Sequence, residues 1–118
     1  MHIDDSLSGL EVPELREASR IADLGSGAGL PGLALAVKLP RARVDLVESV
    51  SRKCAFCEAA IDCMSLANAR VLCTRAEELA GGEGREAYDA VTARAVASLA
   101  TLAELASPLL REGGVLVA

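Results

Sequence analysis

The sequence predicts an α/β protein, a three-layer α/β/α sandwich built around a mostly parallel sheet. Short apolar runs alternate along the chain with longer segments that repeat apolar residues at helical spacing. Strands that alternate with helices pair in parallel through right-handed crossovers, and this places helices on both faces of the sheet. The 118 residues, of which 52% are hydrophobic and 25% charged, suit one globular domain with an ordinary core.

Five segments are predicted to be strands. They are "RIADL" at 20–24, "RVDLVE" at 43–48, "RVLCT" at 70–74, "DAVTAR" at 89–94 and "GVLVA" at 114–118. Residues 1–18 precede this pattern, and we expect this N-terminal segment to be partly disordered or helical. The glycine-rich segment 80–87 is expected to be a flexible loop between elements.

Two helices are predicted in the first half of the chain. The first covers 30–39 and ends before Pro40, which cannot continue a helix. The second is expected to be capped by Ser51. Its buried face is predicted from the helical spacing of Phe56, Ala59, Ala60, Cys63 and Ala67.

A third helix is predicted over about 97–111. We expect Pro108 to disturb its last turn because proline lacks the backbone donor, and Gly113 and Gly114 to end it. Its buried face is predicted to consist of Val96, Leu99, Ala103, Ala106 and Leu110.

The charge balance and the apolar pattern argue against several classes of protein. With 12 basic and 17 acidic side chains the net charge is −5, which gives no general attraction to phosphate backbones or anionic membranes. No apolar run approaches the ~20 residues of a membrane-spanning helix. The acidic start "MHIDDSLSGLEVPE" differs from a secretory signal. We therefore expect a cytoplasmic protein with no membrane partner.

The cysteines are expected to remain thiols. They are Cys54, Cys57, Cys63 and Cys73. The first two have the C-x-x-C spacing of a zinc site, but no second pair has the matching spacing, and His2 is expected to lie in a terminal tail. A buried cysteine commonly acts as a small apolar side chain. We therefore expect no disulfide and no metal.

Candidate ligand residues lie at the predicted carboxyl ends of strands, where open α/β sheets bind ligands. They are Gly25, Ser26, Gly27 and Gly29 after the first strand, Glu48 at the end of the second, and Ala76 and Glu77 after the third. The glycines allow a sharp turn and a close approach of backbone to ligand. A carboxylate at the end of the second strand can accept hydrogen bonds from both ribose hydroxyls, and the pair after the third strand could frame an adenine.

Two kinds of cofactor compete for this arrangement. Gly27, Gly29 and Gly32 satisfy the dinucleotide pattern G-x-G-x-x-G, and Glu48 lies near the expected spacing of ~20 residues beyond it. Asp23 argues against NAD or FAD because its carboxylate would face the pyrophosphate. S-adenosylmethionine has no phosphate and carries a positive amino group and a sulfonium. The sequence therefore favours S-adenosylmethionine, and a dinucleotide-binding oxidoreductase domain is an alternative.

Several segments resemble one methyltransferase family. The segments "DLGSGAGLPGLALA", "VDLVESVSRKCAFCEAA", "RAEEL", "YDAVTARAVASL" and "LLREGGVLVA" are similar to the bacterial 16S rRNA guanine-N7 methyltransferases, the RsmG or glucose-inhibited division protein B family. The resemblance covers about residues 19–118 and implies a Rossmann-like class I methyltransferase core. It also implies that the last strands of the family's sheet are missing, so that the edge at the final predicted strand would be unpaired.

The resemblance implies transfer of a methyl group from S-adenosylmethionine to N7 of a guanine in 16S rRNA, with the RNA or the small ribosomal subunit as partner. The implied cofactor positions are Gly25, Leu30, Ala76, Glu77 and Arg94, with Glu48 at an acidic ribose-binding position. Guanine N7 already presents a lone pair, so we expect catalysis by positioning and no general base. Arg94 could orient the guanine, a phosphate or the cofactor through its planar donors. A non-catalytic cofactor-binding fragment or α/β binding module is the alternative.

Overall fold

A six-stranded parallel sheet forms the centre of the protein in the computed structural model, which describes residues 2–4, 13–25, 30–93 and 98–118. The strands are β1 His2–Asp4, β2 Arg20–Leu24, β3 Arg43–Glu48, β4 Ala69–Cys73, β5 Tyr88–Ala93 and β6 Leu110–Val117. Their order across the sheet is β1-β6-β5-β2-β3-β4. The chain therefore builds outward from β2 to β4 and then returns to the other side of β2, which places a reversal of strand order between β2 and β5. The predicted fold class is confirmed.

Helices cover both faces of this sheet. They are α1 Pro13–Arg16, α2 Leu30–Lys38, α3 Ser51–Met64, α4 Ala76–Ala80 and α5 Leu99–Ala106, followed by the 3₁₀ helix Ser107–Leu109. Leu33 of α2 and Cys57 of α3 pack in one buried cluster, and Leu79 of α4 and Leu102 of α5 pack in another. Neighbouring residues of a strand point to opposite faces. The sheet therefore separates two cores, as the three-layer class requires.

The strand predictions hold best in the middle of the sheet. The bounds of β2 and β3 are those predicted, and β4 and β5 each begin one residue earlier than expected. The last predicted strand is confirmed, but its start was predicted wrongly, because β6 begins at Leu110 and contains Gly113 and Gly114. Gly113 has a φ of 82°, which favours glycine, and the pairing of β5 with β6 shifts register beside it. These glycines therefore serve a bulge in the strand, whereas α5 already ends at Ala106.

The helix faces were predicted less well. In α3 the buried residues are Cys54 and Cys57, whereas Phe56 is 56% exposed and Cys63 is also exposed. Ser51 does not cap this helix, because Val50 occupies the N-cap position.

In α5 the buried residues are Leu102 and Ala106, and Leu99 is exposed. The side chain of Ser98 caps this helix by accepting a hydrogen bond from the Thr101 N–H. The 3₁₀ turn over Ser107–Leu109 confirms that the helix geometry changes at Pro108.

The N-terminal segment contains a strand that we did not predict. His2–Asp4 pairs in parallel with β6, with Ile3 opposite Leu116, so His2 does not lie in a free tail. The edge of β6 that we expected to be unpaired is therefore paired over these residues. Pro13–Arg16 forms the short helix α1, and Leu15 is fully buried in the core. The domain boundary near residue 18 stays a prediction.

Candidate functional site

A cleft lies at the carboxyl ends of β2 and β3, beside the start of α4. Four of the predicted site residues line it, namely Gly25, Glu48, Ala76 and Glu77. Its other lining residues are Leu24, Val47, Ser49, Thr74, Arg75 and Leu105, and its volume is about 210 Å³. Parallel pairing brings these residues together, because it places the carboxyl ends of β2, β3 and β4 at the same edge of the sheet. The structure therefore joins positions that are separated by about fifty residues along the chain.

Glu48 is the buried acidic side chain of this cleft. It ends β3 and is 6% exposed, and its Oε2 accepts a hydrogen bond of 3.0 Å from the Val50 N–H. Its backbone oxygen accepts a second bond, from the Thr74 N–H at 3.0 Å, which fixes the end of β3 against the end of β4. A carboxylate held in this way keeps acceptor capacity for hydroxyl groups of a ligand. The position predicted to bind ribose therefore has suitable burial and anchoring.

Gly25 begins the turn that follows β2. Its φ is 67°, a left-handed conformation that favours glycine, and its N–H donates to the Val47 oxygen at 2.9 Å. A Cβ placed here would meet no atom of the described residues within 4 Å. The need for glycine at this position therefore comes from the backbone conformation and not from a close neighbour among the described residues.

Asp23 lies next to the cleft but does not line it. It is 1% exposed, and its Oδ1 accepts a hydrogen bond of 2.6 Å from the Thr92 hydroxyl on β5. A Cβ on Gly32 would lie 2.9 Å from the Asp23 Oδ2 and would overlap Leu46. Gly32 therefore permits close packing of α2 against the sheet over Asp23. The carboxyl group that we predicted from the motif is therefore buried behind the turn.

The remaining predicted site residues have different outcomes. Ser26, Gly27, Gly29 and Arg94 lie outside the described residues. Leu30 is the first residue of α2. The cleft residues that we did not predict include Thr74 and Arg75, which the rule about carboxyl ends of strands would have found, and Leu105, which only the packing of α5 brings there.

Two of the cysteines form a disulfide, so the prediction of four thiols was wrong. Cys54 in the first turn of α3 is bonded to Cys73 at the end of β4, with 5.9 Å between their Cα atoms. Cys63 keeps an exposed thiol and Cys57 a buried one. Burial raises the pKa of the Cys57 thiol, and the nearby charge of Glu48 raises it further, so this thiol stays protonated. The disulfide ties the first turn of α3 to the end of β4, close to residues that line the cleft.

Removal of this disulfide is expected to weaken the fold. Cys73→Ser should lower the free energy of unfolding of the oxidised protein by about 3 kcal/mol, because the bond closes a loop with a sequence separation of 19. Denaturant unfolding measures the difference. Cys63→Ser is the matched control, since it replaces an exposed thiol outside the bond. With a reducing agent, the wild type and both variants should have the same free energy of unfolding. Titration of four thiols in the unfolded oxidised protein would contradict the assignment.

The described residues contain no group of three or more His, Cys, Asp or Glu side chains that could hold a metal ion. Within the same part of the chain, no helix is both long and apolar enough to span a membrane.

A parallel sheet with helices on both faces and a cleft at the carboxyl ends of its strands is a Rossmann-like architecture, which class I methyltransferases share. Solved structures with this architecture match the fold. Coclaurine N-methyltransferase, in complex with N-methylheliamine and SAH, superposes with a TM-score of 0.69 and 22% identity over 83% of this chain and 30% of that one. The cyclase SpnF has the same TM-score with 21% identity, over 84% of this chain and 38% of its own. Because a cyclase shares the architecture, the fold alone does not define a reaction.

The chain belongs to the family described as rRNA small subunit methyltransferase G (GidB), whose model matches residues 1–118. The family resemblance found in the sequence is therefore confirmed. The ribosomal RNA small subunit methyltransferase G of Rubrobacter xylanophilus is 48% identical over 118 residues, which are 99% of this chain and 45% of that protein. That of Sorangium cellulosum is 44% identical over 98% of this chain and 49% of its own length. The chain thus spans about half the length of the curated relatives that it matches.

Proposed function

We propose that this chain is the S-adenosylmethionine-binding core of a methyltransferase that acts on N7 of a guanine in 16S rRNA. The observation that carries the proposal is the cleft itself. In a member of this family, the predicted ribose acid Glu48 and the predicted adenine residues Ala76 and Glu77 lie together beside the turn at Gly25. The partner in this proposal is the RNA or the small ribosomal subunit, and the compartment is the cytoplasm.

The residues of the cleft fit the chemistry of this cofactor. Glu48 can accept hydrogen bonds from ribose hydroxyls through the carboxylate oxygen that does not bind the Val50 N–H. Ala76 and Leu105 supply apolar surface beside it for an adenine ring. In this proposal the positions Ser26, Gly27, Gly29, Leu30 and Arg94 complete the site, and the buried charge of Asp23 favours the positive amino acid end of the cofactor.

In this reaction the main role of the protein is to position the two reactants. The bound cofactor supplies an electrophilic methyl group on a positively charged sulfur. Guanine N7 supplies the electron pair for the new bond, and no proton has to be removed from the base before it reacts. The cleft residues therefore act by holding the adenosine part in place, and positioning of this kind can supply several kcal/mol of the barrier reduction. The proposed role of Arg94 is to orient the guanine, a phosphate or the cofactor.

Calorimetry and a methyl-transfer assay test the proposal in two steps. We expect the chain to bind S-adenosylhomocysteine with an affinity in the micromolar range, and NAD not to compete. We then expect incorporation of a labelled methyl group into small ribosomal subunits that lack this modification, detected as N7-methylguanine by mass spectrometry. Binding without transfer would assign the chain as a cofactor-binding module. Absence of S-adenosylhomocysteine binding by the folded chain would overturn the proposal.

A further inference from the structure

Positive charge is concentrated at the amino ends of the strands, on the edge of the sheet opposite the cleft. We name this surface the basic edge and define it by Arg16, Lys38, Arg41, Arg43 and Arg70. They come from the end of α1, the end of α2, the following loop, and the starts of β3 and β4. These five side chains are close to half of the 12 basic residues in a chain of net charge −5. The protein is therefore acidic overall but has a local surface of the opposite sign.

Neighbouring carboxylates neutralise only part of this positive charge, mainly at Arg70. Asp45 is fully buried and accepts a hydrogen bond of 2.8 Å from the Arg70 Nε, but it lies 4.0 Å from the Arg43 Nε. Glu83 reaches Arg70 only at 4.0 Å. Among the described residues that line the grooves of this surface, Glu17 is the acidic one. The five cationic groups thus face three carboxylates, those of Asp45, Glu83 and Glu17, which leaves an excess of positive charge on this surface.

The shape of the basic edge is fixed by the partly buried amide of Asn68. Two grooves, of about 470 and 370 Å³, flank the loop at 39–42 and share Pro40, Arg41 and Ala42. The Asn68 Nδ2 lies within hydrogen-bond distance of the backbone oxygens of Ala36, Leu39 and Ala42, at 3.0, 3.1 and 2.9 Å. This side chain holds the loop against the start of β4. Arg41 is therefore carried on a loop that is ordered before any ligand binds, which lowers the entropic cost of binding.

The composition of the surface favours a polyanion over a protein. The grooves between the cationic groups are lined by alanine, proline, leucine, serine and asparagine, with no aromatic residue among the described lining residues. Phosphate backbones are bound through exposed Lys and Arg without any need for base contacts, and these are the groups that border the two grooves. The protein measures 34 × 27 × 25 Å, so one ribosomal RNA can reach both edges of its sheet.

We propose that the basic edge binds the phosphodiester backbone of RNA, at a surface separate from the cofactor cleft. The inference rests on the proposed function in taking RNA as the partner. Contacts of this kind are independent of sequence, and they position the protein while the target base is recognised elsewhere. The net charge of −5 gives the chain no overall attraction to RNA, and the basic edge supplies that attraction locally.

Fluorescence anisotropy with a labelled oligouridine tests this assignment. The double variant Arg16→Gln/Arg41→Gln should bind roughly tenfold or more weakly at low salt. The slope of log affinity against log salt should become shallower by about 0.7 for each phosphate of the single-stranded RNA that the variant no longer neutralises. Arg52→Gln/Lys53→Gln is the matched control, since it removes the same charge from exposed positions at the start of α3. A peptide nucleic acid of the same sequence has no phosphates and should not bind.

Three results would overturn the assignment of RNA to the basic edge. They are failure of the wild-type chain to bind oligouridine, an equal loss of affinity in the control pair and the test pair, and equal binding of the peptide nucleic acid. Calorimetry separates this inference from the proposed function, because the test variant should keep wild-type affinity for S-adenosylhomocysteine. Absence of S-adenosylhomocysteine binding in the wild type would instead indicate failure of the proposed function while leaving the anisotropy result valid.

Discussion

Glu48→Gln is expected to lower the affinity of the chain for S-adenosylhomocysteine by about 10- to 100-fold, as measured by calorimetry. Hydrogen bonds to a charged group contribute about 1.5–3 kcal/mol, and each 1.4 kcal/mol is a factor of ten in affinity. The glutamine oxygen can still accept from the Val50 N–H, which is bound at 3.0 Å in the structure. The amide nitrogen then points a donor at ribose hydroxyls that need an acceptor.

A matched variant and a modified ligand isolate this effect. Glu58→Gln makes the same chemical change at an exposed position on α3 and should leave affinity unchanged. The 2′-deoxy analogue of S-adenosylhomocysteine lacks one of the proposed hydroxyl donors. It should bind the wild type more weakly than the parent ligand does, and this difference should shrink in Glu48→Gln. An undiminished preference for the hydroxyl in the variant would show that Glu48 does not bind ribose.

The sequence contained enough information to predict the cleft, for a simple geometric reason. Parallel strands that end at one edge bring their following residues together, so Gly25, Glu48 and Ala76 could be grouped from the strand pattern alone. Thr74 follows from the same rule and was overlooked. Leu105 could not be found in this way, because it reaches the cleft from a helix on one face of the sheet whose rotation depends on packing.

The features that the sequence did not predict depend on contacts between distant segments. In α3, Cys54 rather than Phe56 is buried, because the position of β4 decides which side of the helix is covered. The same contact forms the disulfide with Cys73, which no spacing rule for cysteines indicates. Gly113 resembles a helix terminator in sequence, yet its left-handed backbone serves the register shift between β5 and β6. Local propensity was overridden by tertiary geometry at each of these positions.

The second large effect is expected from Asp45, at the opposite end of the sheet from the cleft. This carboxylate is fully buried and accepts hydrogen bonds from the Tyr88 hydroxyl at 2.6 Å and from the Arg70 Nε at 2.8 Å. Burial raises the pKa of Tyr88, and the hydrogen bond to Asp45 raises it further, so the hydroxyl stays protonated and donates. The same carboxylate, through its hydrogen bond to Arg70, raises the pKa of that guanidinium. The three groups form one network across β3, β4 and β5.

Asp45→Ala should therefore lower the free energy of unfolding by about 3 kcal/mol, measured by denaturant titration. Removal of one partner of a buried ion pair typically costs about 3–5 kcal/mol. The lower end applies because the Arg70 side chain is 38% exposed and can be hydrated, whereas the buried Tyr88 hydroxyl loses its acceptor. Tyr88→Phe should lower the free energy of unfolding less in the Asp45→Ala background than in the wild type, since the acceptor is already gone.

Asp62→Ala, at an exposed position on α3, is the control and should change the free energy of unfolding little. Equal stability of Asp45→Ala and Asp62→Ala would show that the network does not stabilise the fold.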